Sequence, residues 1–254
     1  MNKHRIPVSV ILLLICSMAS GAEWKNPDKP NTGGWQNPDH TQPVAPKPAV
    51  QPVERKSPPP AVSQVRLTGE LSVETMWVCQ MEQTYNDKGS DGAQDVKFFQ
   101  PQLPPGYRML GGYAQGNHHG ASGCSLAVRP ANEASMALLQ QPVSWRQIWT
   151  DKNSGAQMDG SIWHGEAASA DYICLGSIAK QGYSAPNLPD YACVHQCLVE
   201  EIPVGGFLWS DAGTGASQNV TIYNLHNSNG FYAAPSHNTP ATLVDIRRNP
   251  ACKF

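Results

Sequence analysis

Charged residues are scarce in this chain. Only 15% of its 254 residues are Asp, Glu, Lys or Arg, and the formal net charge is −2. Coiled coils and long amphipathic helices carry many more charges on their solvent faces, so the composition excludes an all-helical protein. The weak negative charge also argues against a polyanion-binding surface, and we predict no nucleic-acid partner.

Familiar catalytic motifs are also absent. The sequence contains no GxSxG, HExxH or phosphate-binding-loop pattern. His118 and His119 lie in a glycine-rich segment, where they are explained either as metal ligands or as residues of a solvated loop, and the loop is the favoured explanation. We therefore predict a protein that is not an enzyme and needs no cofactor. If a cation binds, we expect calcium, at the turns that begin with Asp87, Asp151 and Asp211.

The first 22 residues have the three parts of a secretory signal peptide. Lys3 and Arg5 give a positive start, residues 8–16 an apolar stretch, and residues 17–22 a small-residue exit. A membrane anchor is the alternative, but nine residues of helix rise only about 14 Å, well short of the ~30 Å hydrocarbon core. We predict a secreted or periplasmic protein without a transmembrane segment.

Residues 23–66 are predicted to be a disordered linker. They hold ten of the 22 prolines and few large apolar side chains, so they cannot bury enough surface to offset the entropy of ordering. The motif Trp-Lys-Asn-Pro-Asp at Trp24 returns as Trp-Gln-Asn-Pro-Asp at Trp35. The two Trp residues are either a docking motif for a protein partner or a chance duplication in low-complexity sequence.

Three copies of one pattern follow the linker. Their first residues are Asp87, Asp151 and Asp211, and an aromatic residue precedes each Asp by two positions. Each copy is typical of a strand, a tight turn and further short strands, about four per copy and roughly a dozen in all. We predict an all-β, three-repeat β-prism-like domain over residues 67–254, with a β-trefoil as the alternative.

The six cysteines that follow the signal peptide are predicted to form disulfides, since the chain is exported. A zinc site at Cys193 and Cys197 is the alternative, but no second closely spaced pair accompanies them. Cys174 and Cys193 lie on successive strands of the middle copy and should pair. Cys124 occupies in the first copy the position that Cys193 occupies in the middle copy. The first copy has no cysteine at the position equivalent to Cys174, so Cys124 needs a partner elsewhere. The predicted bonds are Cys79–Cys124, Cys174–Cys193 and Cys197–Cys252.

The Asp turns are the predicted ligand site. A carboxylate, a hydroxyl and backbone amides at each turn would suit a sugar or calcium, although the same residues also serve simply to cap a tight bend. The aromatic residues Phe99, Trp163 and Tyr223 are expected to face a shared core rather than a ligand. The predicted site residues are Asp87, Ser90, Asp151, Asn153, Ser154, Asp211, Gly213 and Thr214.

The middle copy resembles a known family. IWTDKNSGAQMDGSIW, YICLGS and YACVH are similar to the signature of the vacuolar protein sorting-associated protein 62 family, which reads W-x-D-x-G-S-G-A, S-I-W, then Y-x-x-L-G. The resemblance covers about residues 70–254, and the first copy departs from it at Tyr85 and the third at Thr214. It implies a β-prism-like fold, found in some members as the targeting module of pore-forming proteins, and no catalytic residues.

Two classes of function are compatible with these observations. The first is a lectin-like recognition module that binds a glycan or a membrane surface through loop turns. The second is a non-catalytic accessory protein that displays Trp24 and Trp35 to a protein partner.

Overall fold

The computed structural model describes residues 69–254, and this part of the chain is β-structure apart from two short 3-10 helices at Ala134–Leu138 and Gln196–Leu198. The all-β prediction is confirmed. The predicted signal peptide (1–22) and linker (23–66), with Trp24 and Trp35, lie outside the described residues. In chain order the strands are β1 (Glu70–Val78), β2 (Met81–Asn86), β3 (Lys97–Pro101), β4 (Arg108–Met109), β5 (Tyr113–Gln115), β6 (Ser125–Pro130), β7 (Leu139–Gln140), β8 (Ser144–Thr150), β9 (Gly160–Glu166), β10 (Tyr172–Ile173), β11 (Ser177–Gln181), β12 (Cys193–His195), β13 (Val199–Pro203), β14 (Phe207–Ser210), β15 (Thr221–Asn224), β16 (Phe231–Ala234), β17 (Thr242–Ile246) and β18 (Ala251–Lys253).

The strands of residues 69–254 form six small antiparallel sheets. Three of them have three strands each, in the orders β2-β3-β5, β8-β9-β11 and β14-β15-β16, and we call these the turn sheets because an Asp turn joins the first two strands of each. The other sheets have the orders β18-β1-β6-β4, β10-β12-β7 and β13-β17.

The described residues contain eighteen strands, more than the expected dozen. The difference comes from very short strands: β4, β7 and β10 have two residues each. Such short pairings carry no alternating hydrophobic pattern, which needs at least four residues to be recognised in a sequence.

The turn sheets share one core. Tyr85, Trp149 and Trp209 are fully buried in it, and the Trp149 ring centroid lies 6.0 Å from that of Tyr85 and 5.6 Å from that of Trp209. A register shift directly precedes each of these residues, in β2, β8 and β14. A bulge adds one residue to a strand and re-aims the side chains that follow it, which is how each ring reaches the core.

The aromatic residues expected to face this core lie on the opposite faces of their strands. Phe98 and Ile222 belong to the shared core, whereas the adjacent Phe99 and Tyr223 do not, and Trp163 is likewise outside it. Because side chains alternate along a strand, the predicted orientation was wrong by one residue. All three aromatic side chains are nevertheless buried, so they do not offer a ligand an exposed ring.

A second core lies beneath the remaining sheets. It gathers buried residues of β1, β6, β12, β13 and β17, among them Val128, Val194 and Ile246. Three disulfides reinforce this half of the fold, and all three predicted pairs are confirmed: Cys79–Cys124, Cys174–Cys193 and Cys197–Cys252. Within residues 69–254, no helix has the length and hydropathy that a membrane span requires.

Candidate functional site

The three Asp turns have one local geometry. The residue two positions after each Asp has a positive φ: 87° at Gly89, 70° at Asn153 and 86° at Gly213. Glycine and asparagine tolerate this left-handed conformation better than other residues, which explains their presence here. In each turn the backbone carbonyl of the Asp accepts a hydrogen bond from the amide three residues later.

The carboxylate of Asp87 is buried and engaged by the protein itself. Its Oδ2 accepts the indole N–H of Trp209 at 3.0 Å, and its Oδ1 accepts the amide of Val96 at 2.9 Å. His118 Nε2 lies 2.6 Å from the same Oδ1. His118 is therefore held against a buried carboxylate, whereas its neighbour His119 is exposed.

Asp211 repeats this arrangement with other partners. Its Oδ2 accepts the indole N–H of Trp149 at 3.1 Å, and its Oδ1 accepts the amide of Val220 at 2.8 Å and lies 2.6 Å from His237 Nε2. Each Asp thus binds an aromatic residue that belongs to a different turn sheet. The two carboxylates join the sheets, as well as capping their own turns.

Asp151 accepts no indole N–H in the described residues, unlike Asp87 and Asp211, because the third aromatic residue of the shared core is Tyr85 rather than a tryptophan. Its Oδ1 accepts the hydroxyl of Tyr183 at 2.9 Å, but the hydroxyl of the buried Tyr85 has no hydrogen-bond partner among the described residues. Burial, assisted by the negative charge of Asp151, raises the pKa of Tyr85 far above its ordinary value. The Tyr85 ring lies so close to Gly160 that a Cβ there would be 2.2 Å from a ring carbon.

The other predicted site residues also support the turns. Ser154 Oγ accepts the amide of Ala156, and Thr214 Oγ1 donates to the carbonyl of Asp211 at 2.8 Å. Ser154 and Thr214 are buried, Ser90 is partly buried, and Asn153 and Gly213 are exposed. Ligand binding at these turns stays a prediction. A ligand or calcium ion at Asp87 or Asp211 would compete with hydrogen bonds that engage both carboxylate oxygens, whereas at Asp151 the described hydrogen bond engages Oδ1.

One group of possible metal ligands lies at the first turn. Oxygen and nitrogen atoms of Asp87, Asp95 and His118 lie within 4.8 Å of one another. A cation held there would compete with Trp209 and Val96 for the Asp87 carboxylate. The geometry therefore favours the structural role of this carboxylate over metal binding.

A different surface combines an exposed aromatic ring with polar side chains. Trp77 on β1 is 54% exposed and lies opposite Leu126 of β6. It lines a cavity of about 310 Å³. The other lining residues are Thr75, Leu126, His226, Asn227, Arg247 and Arg248, and we call this cavity the Trp77 groove.

Hydrogen bonds fix the polar wall of the Trp77 groove. The side-chain amide of Asn227 donates to Glu200 Oε1 and to the carbonyl of Ile246, both at 2.8 Å, and Arg248 Nε donates to Asn227 Oδ1 at 3.3 Å. Beneath them the fully buried Asp245 accepts the amide of Asn227 at 2.7 Å. Burial raises the pKa of Asp245, although hydrogen bonds from neighbouring residues oppose the rise.

A close approach of the backbone completes this wall. A Cβ on Gly205 would lie 2.7 Å from His226 Nε2, so the position of the imidazole depends on glycine at 205. Any larger residue there would push His226 from its place beside the groove.

Sequence reasoning did not identify the Trp77 groove, because its residues come from four separate segments. Two signals were nevertheless present. Met76 and Trp77 are adjacent large apolar residues in a strand, so one of them had to lie away from the core, although alternation from the buried Leu71 and Val73 selects Met76 rather than Trp77. Arg247 and Arg248 are also the only adjacent pair of Lys or Arg residues after position 66.

Comparisons with known proteins agree with the resemblance noted in the sequence. No curated protein matches the chain. The crystal structure of GNIP1Aa from Chromobacterium piscinae is similar, with a TM-score of 0.59 and 30% sequence identity over 66% of this chain. The match spans 34% of the GNIP1Aa chain, so two thirds of this chain correspond to about a third of that protein. The family model described as vacuolar protein sorting-associated protein 62 matches residues 48–238, and the chain therefore belongs to the Vps62 family.

Proposed function

We propose that this protein is a non-enzymatic, lectin-like recognition module that binds a glycan outside the cytoplasm. The observation that carries the proposal is the Trp77 groove: an exposed indole next to a recess whose other walls are mainly polar. Exposed aromatic rings stack on the apolar faces of ligand rings, and fixed polar groups beside them supply orientation and specificity.

The groove is a better candidate than the turns at Asp87 and Asp211 for physical reasons. The carboxylates of Asp87 and Asp211 each accept hydrogen bonds from an indole and a backbone amide, so ligand binding would first have to break them. Trp77 has no comparable internal role, because over half of its surface is exposed. A ligand that covers Trp77 gains apolar burial without disrupting the fold.

The proposed architecture is a β-prism-like arrangement of the three turn sheets about their shared core. Two contacts support it: Trp209 donates to Asp87, and Trp149 donates to Asp211. In both contacts the Trp of one turn sheet donates to the Asp turn of the next sheet around the core. Such an arrangement leaves the Trp77 groove, which belongs to the other half of the fold, free to meet a ligand. Export to the periplasm or the medium is supported by the three disulfides, which persist in oxidising compartments.

A glycan array that carries neutral and anionic saccharides tests the function. We expect retention of the purified protein on a restricted set of saccharides, and loss of that retention in Trp77→Ala. Phe254→Ala is a matched control, because Phe254 is an exposed aromatic residue of similar accessibility (47%) next to the opposite end of β1. It should bind as the wild type does.

Two results would contradict the proposal. The first is the absence of retention on every saccharide, which favours the accessory role in which the Trp24 and Trp35 segment contacts a protein partner. The second is retention that Trp77→Ala leaves unchanged, which places the binding site elsewhere, with the Asp turns as the next candidates.

A further inference from the structure

We infer that the ligand of the Trp77 groove is an anionic saccharide, one that carries a carboxylate or a sulfate ester. This inference rests on the proposed glycan-binding function and specifies its ligand class. It depends on the charges around the groove, which the proposed function does not use.

Within residues 69–254, the two arginines of the groove form no ion pair with an acidic residue. The arginines that form ion pairs within residues 69–254 are Arg129, with Glu74, and Arg146, with Glu166. Arg247 and Arg248 use their Nε groups for hydrogen bonds to the Val199 carbonyl and the Asn227 side chain. The guanidinium planes are thereby oriented while their positive charges remain available to a ligand.

The distribution of acids around the groove favours one position for an anion. Among residues 69–254, no Asp or Glu lines the Trp77 groove. Glu200 and Glu201 line the adjoining cavity, which shares His226, Asn227 and Arg248 with it. Repulsion by the two glutamates therefore places an anion on the side of the groove nearer to Trp77, where two arginines and the Trp77 ring line the same space.

The loops that carry the cationic residues are held in place by a buried acid. Asp245 is fully buried and accepts the amides of Asn227, Ser228 and Ile246 at 2.7, 3.1 and 2.8 Å. These bonds connect the segment that contains His226 to the segment that contains Arg247. Groups fixed before binding lose less entropy on binding, so the pair of arginines is preorganised for an anion.

The geometry points to a saccharide rather than a lipid headgroup. Guanidinium groups form paired hydrogen bonds with carboxylate or sulfate oxygens, and an indole face stacks on a sugar ring. A membrane would require several apolar side chains that project together. Met76, the other exposed apolar residue nearby, is adjacent to Trp77 in β1 and so faces the opposite side of the strand.

The test is a set of equilibrium titrations of the purified protein. The probes are heparin for sulfate, polygalacturonate for carboxylate, dextran as a neutral polymer, and phosphatidylserine vesicles. We expect the wild type to bind at least one anionic saccharide, and high salt should weaken this binding. In the double variant Arg247→Gln/Arg248→Gln the affinity should be at least tenfold lower. Arg146→Gln, a change of another exposed arginine, should bind as the wild type does.

The outcomes separate the two proposals. Trp77-dependent binding of neutral saccharides that the double arginine variant retains would overturn the anionic inference and leave the recognition function in place. Binding to neither anionic polymer would overturn the inference, and failure on the whole glycan array would also overturn the function. Binding to vesicles but to no saccharide would replace both with recognition of anionic lipid. Thermal melting of each variant shows whether the fold is preserved.

Discussion

At the scale of single residues, the contact between Tyr85 and Gly160 shows how tightly the shared core is packed. In the other two copies the positions equivalent to Gly160 are occupied by Val96 and Val220. Glycine is therefore found only in the copy whose residue at this position contacts the Tyr85 ring. We expect Gly160→Val to lower the free energy of unfolding by about 1–3 kcal/mol or more, because the new side chain overlaps the buried ring. Denaturant unfolding measures the change. Gly120→Ala is the control, since no atom lies within 4 Å of a Cβ at that position.

The unpartnered hydroxyl of Tyr85 leads to a second prediction. Tyr85→Phe removes a buried polar group that has no hydrogen bond, so stability should be unchanged or increased. Trp149→Phe removes an indole N–H that Asp211 accepts and also leaves a cavity, and it should cost about 2–4 kcal/mol. Equal losses in the two variants would show that the Tyr85 hydroxyl has a partner, such as a buried water.

His164 makes stability depend on pH. Burial, with a smaller effect from Arg146, lowers its pKa from 6.5 to about 4. The unfolded chain therefore binds a proton between pH 6.5 and 4 that the folded protein does not bind. Stability should be fully present above pH 6.5 and should fall by on the order of 2–3 kcal/mol as the pH decreases to 4. In His164→Gln the dependence on pH over this interval should be weaker, and an identical dependence would exclude His164 as its source.

At the scale of elements, the disulfide that joins Cys197 to Cys252 connects the last strand, β18, to the body of the fold. The two cysteines are 55 residues apart in sequence. Replacement of both with Ser should cost roughly 2–4 kcal/mol, because it restores conformational freedom to the unfolded chain. Thermal melting checks the loss, and alkylation under non-reducing conditions should label no cysteine in residues 69–254 of the wild type. Labelling there would contradict the pairing.

The elements also show which features a sequence can predict. The Asp turns and the disulfides could be predicted because Asp, Gly and Cys have strong local preferences or a single partner chemistry. The side of β3, β9 and β15 that faces the shared core could not, because each strand has two adjacent large apolar residues and alternation does not say which of them faces inward. These pairs are Phe98–Phe99, Ile162–Trp163 and Ile222–Tyr223, and the first member of each belongs to the shared core. The buried state of Asp87 and Asp211 was hidden for another reason, since their indole partners come from distant parts of the chain.

At the scale of the whole molecule, our proposal gives structural and binding roles to different halves of the described fold. The turn sheets hold their Asp residues in internal hydrogen bonds, whereas the Trp77 groove belongs to the half that surrounds the second core. The chain belongs to the Vps62 family, and its similarity to GNIP1Aa spans 34% of that chain. Only the assembled fold brings Trp77, His226 and Arg247 together, so the groove could not be predicted from local motifs.

The most direct test of this assignment compares the affinity of three variants for one saccharide that the wild-type protein binds. Trp77→Ala should weaken binding at least tenfold, about 1.4 kcal/mol, while Asp151→Asn and Asp211→Asn should bind within twofold of the wild type. Asparagine also serves in Asx turns, but at position 211 it keeps only one of the two acceptor oxygens that Trp149 and Val220 use. Thermal melting must therefore show that each Asn variant is folded before its affinity is compared. The opposite result, in which the Asp variants lose binding and Trp77→Ala retains it, would contradict the account and place the ligand at the turns.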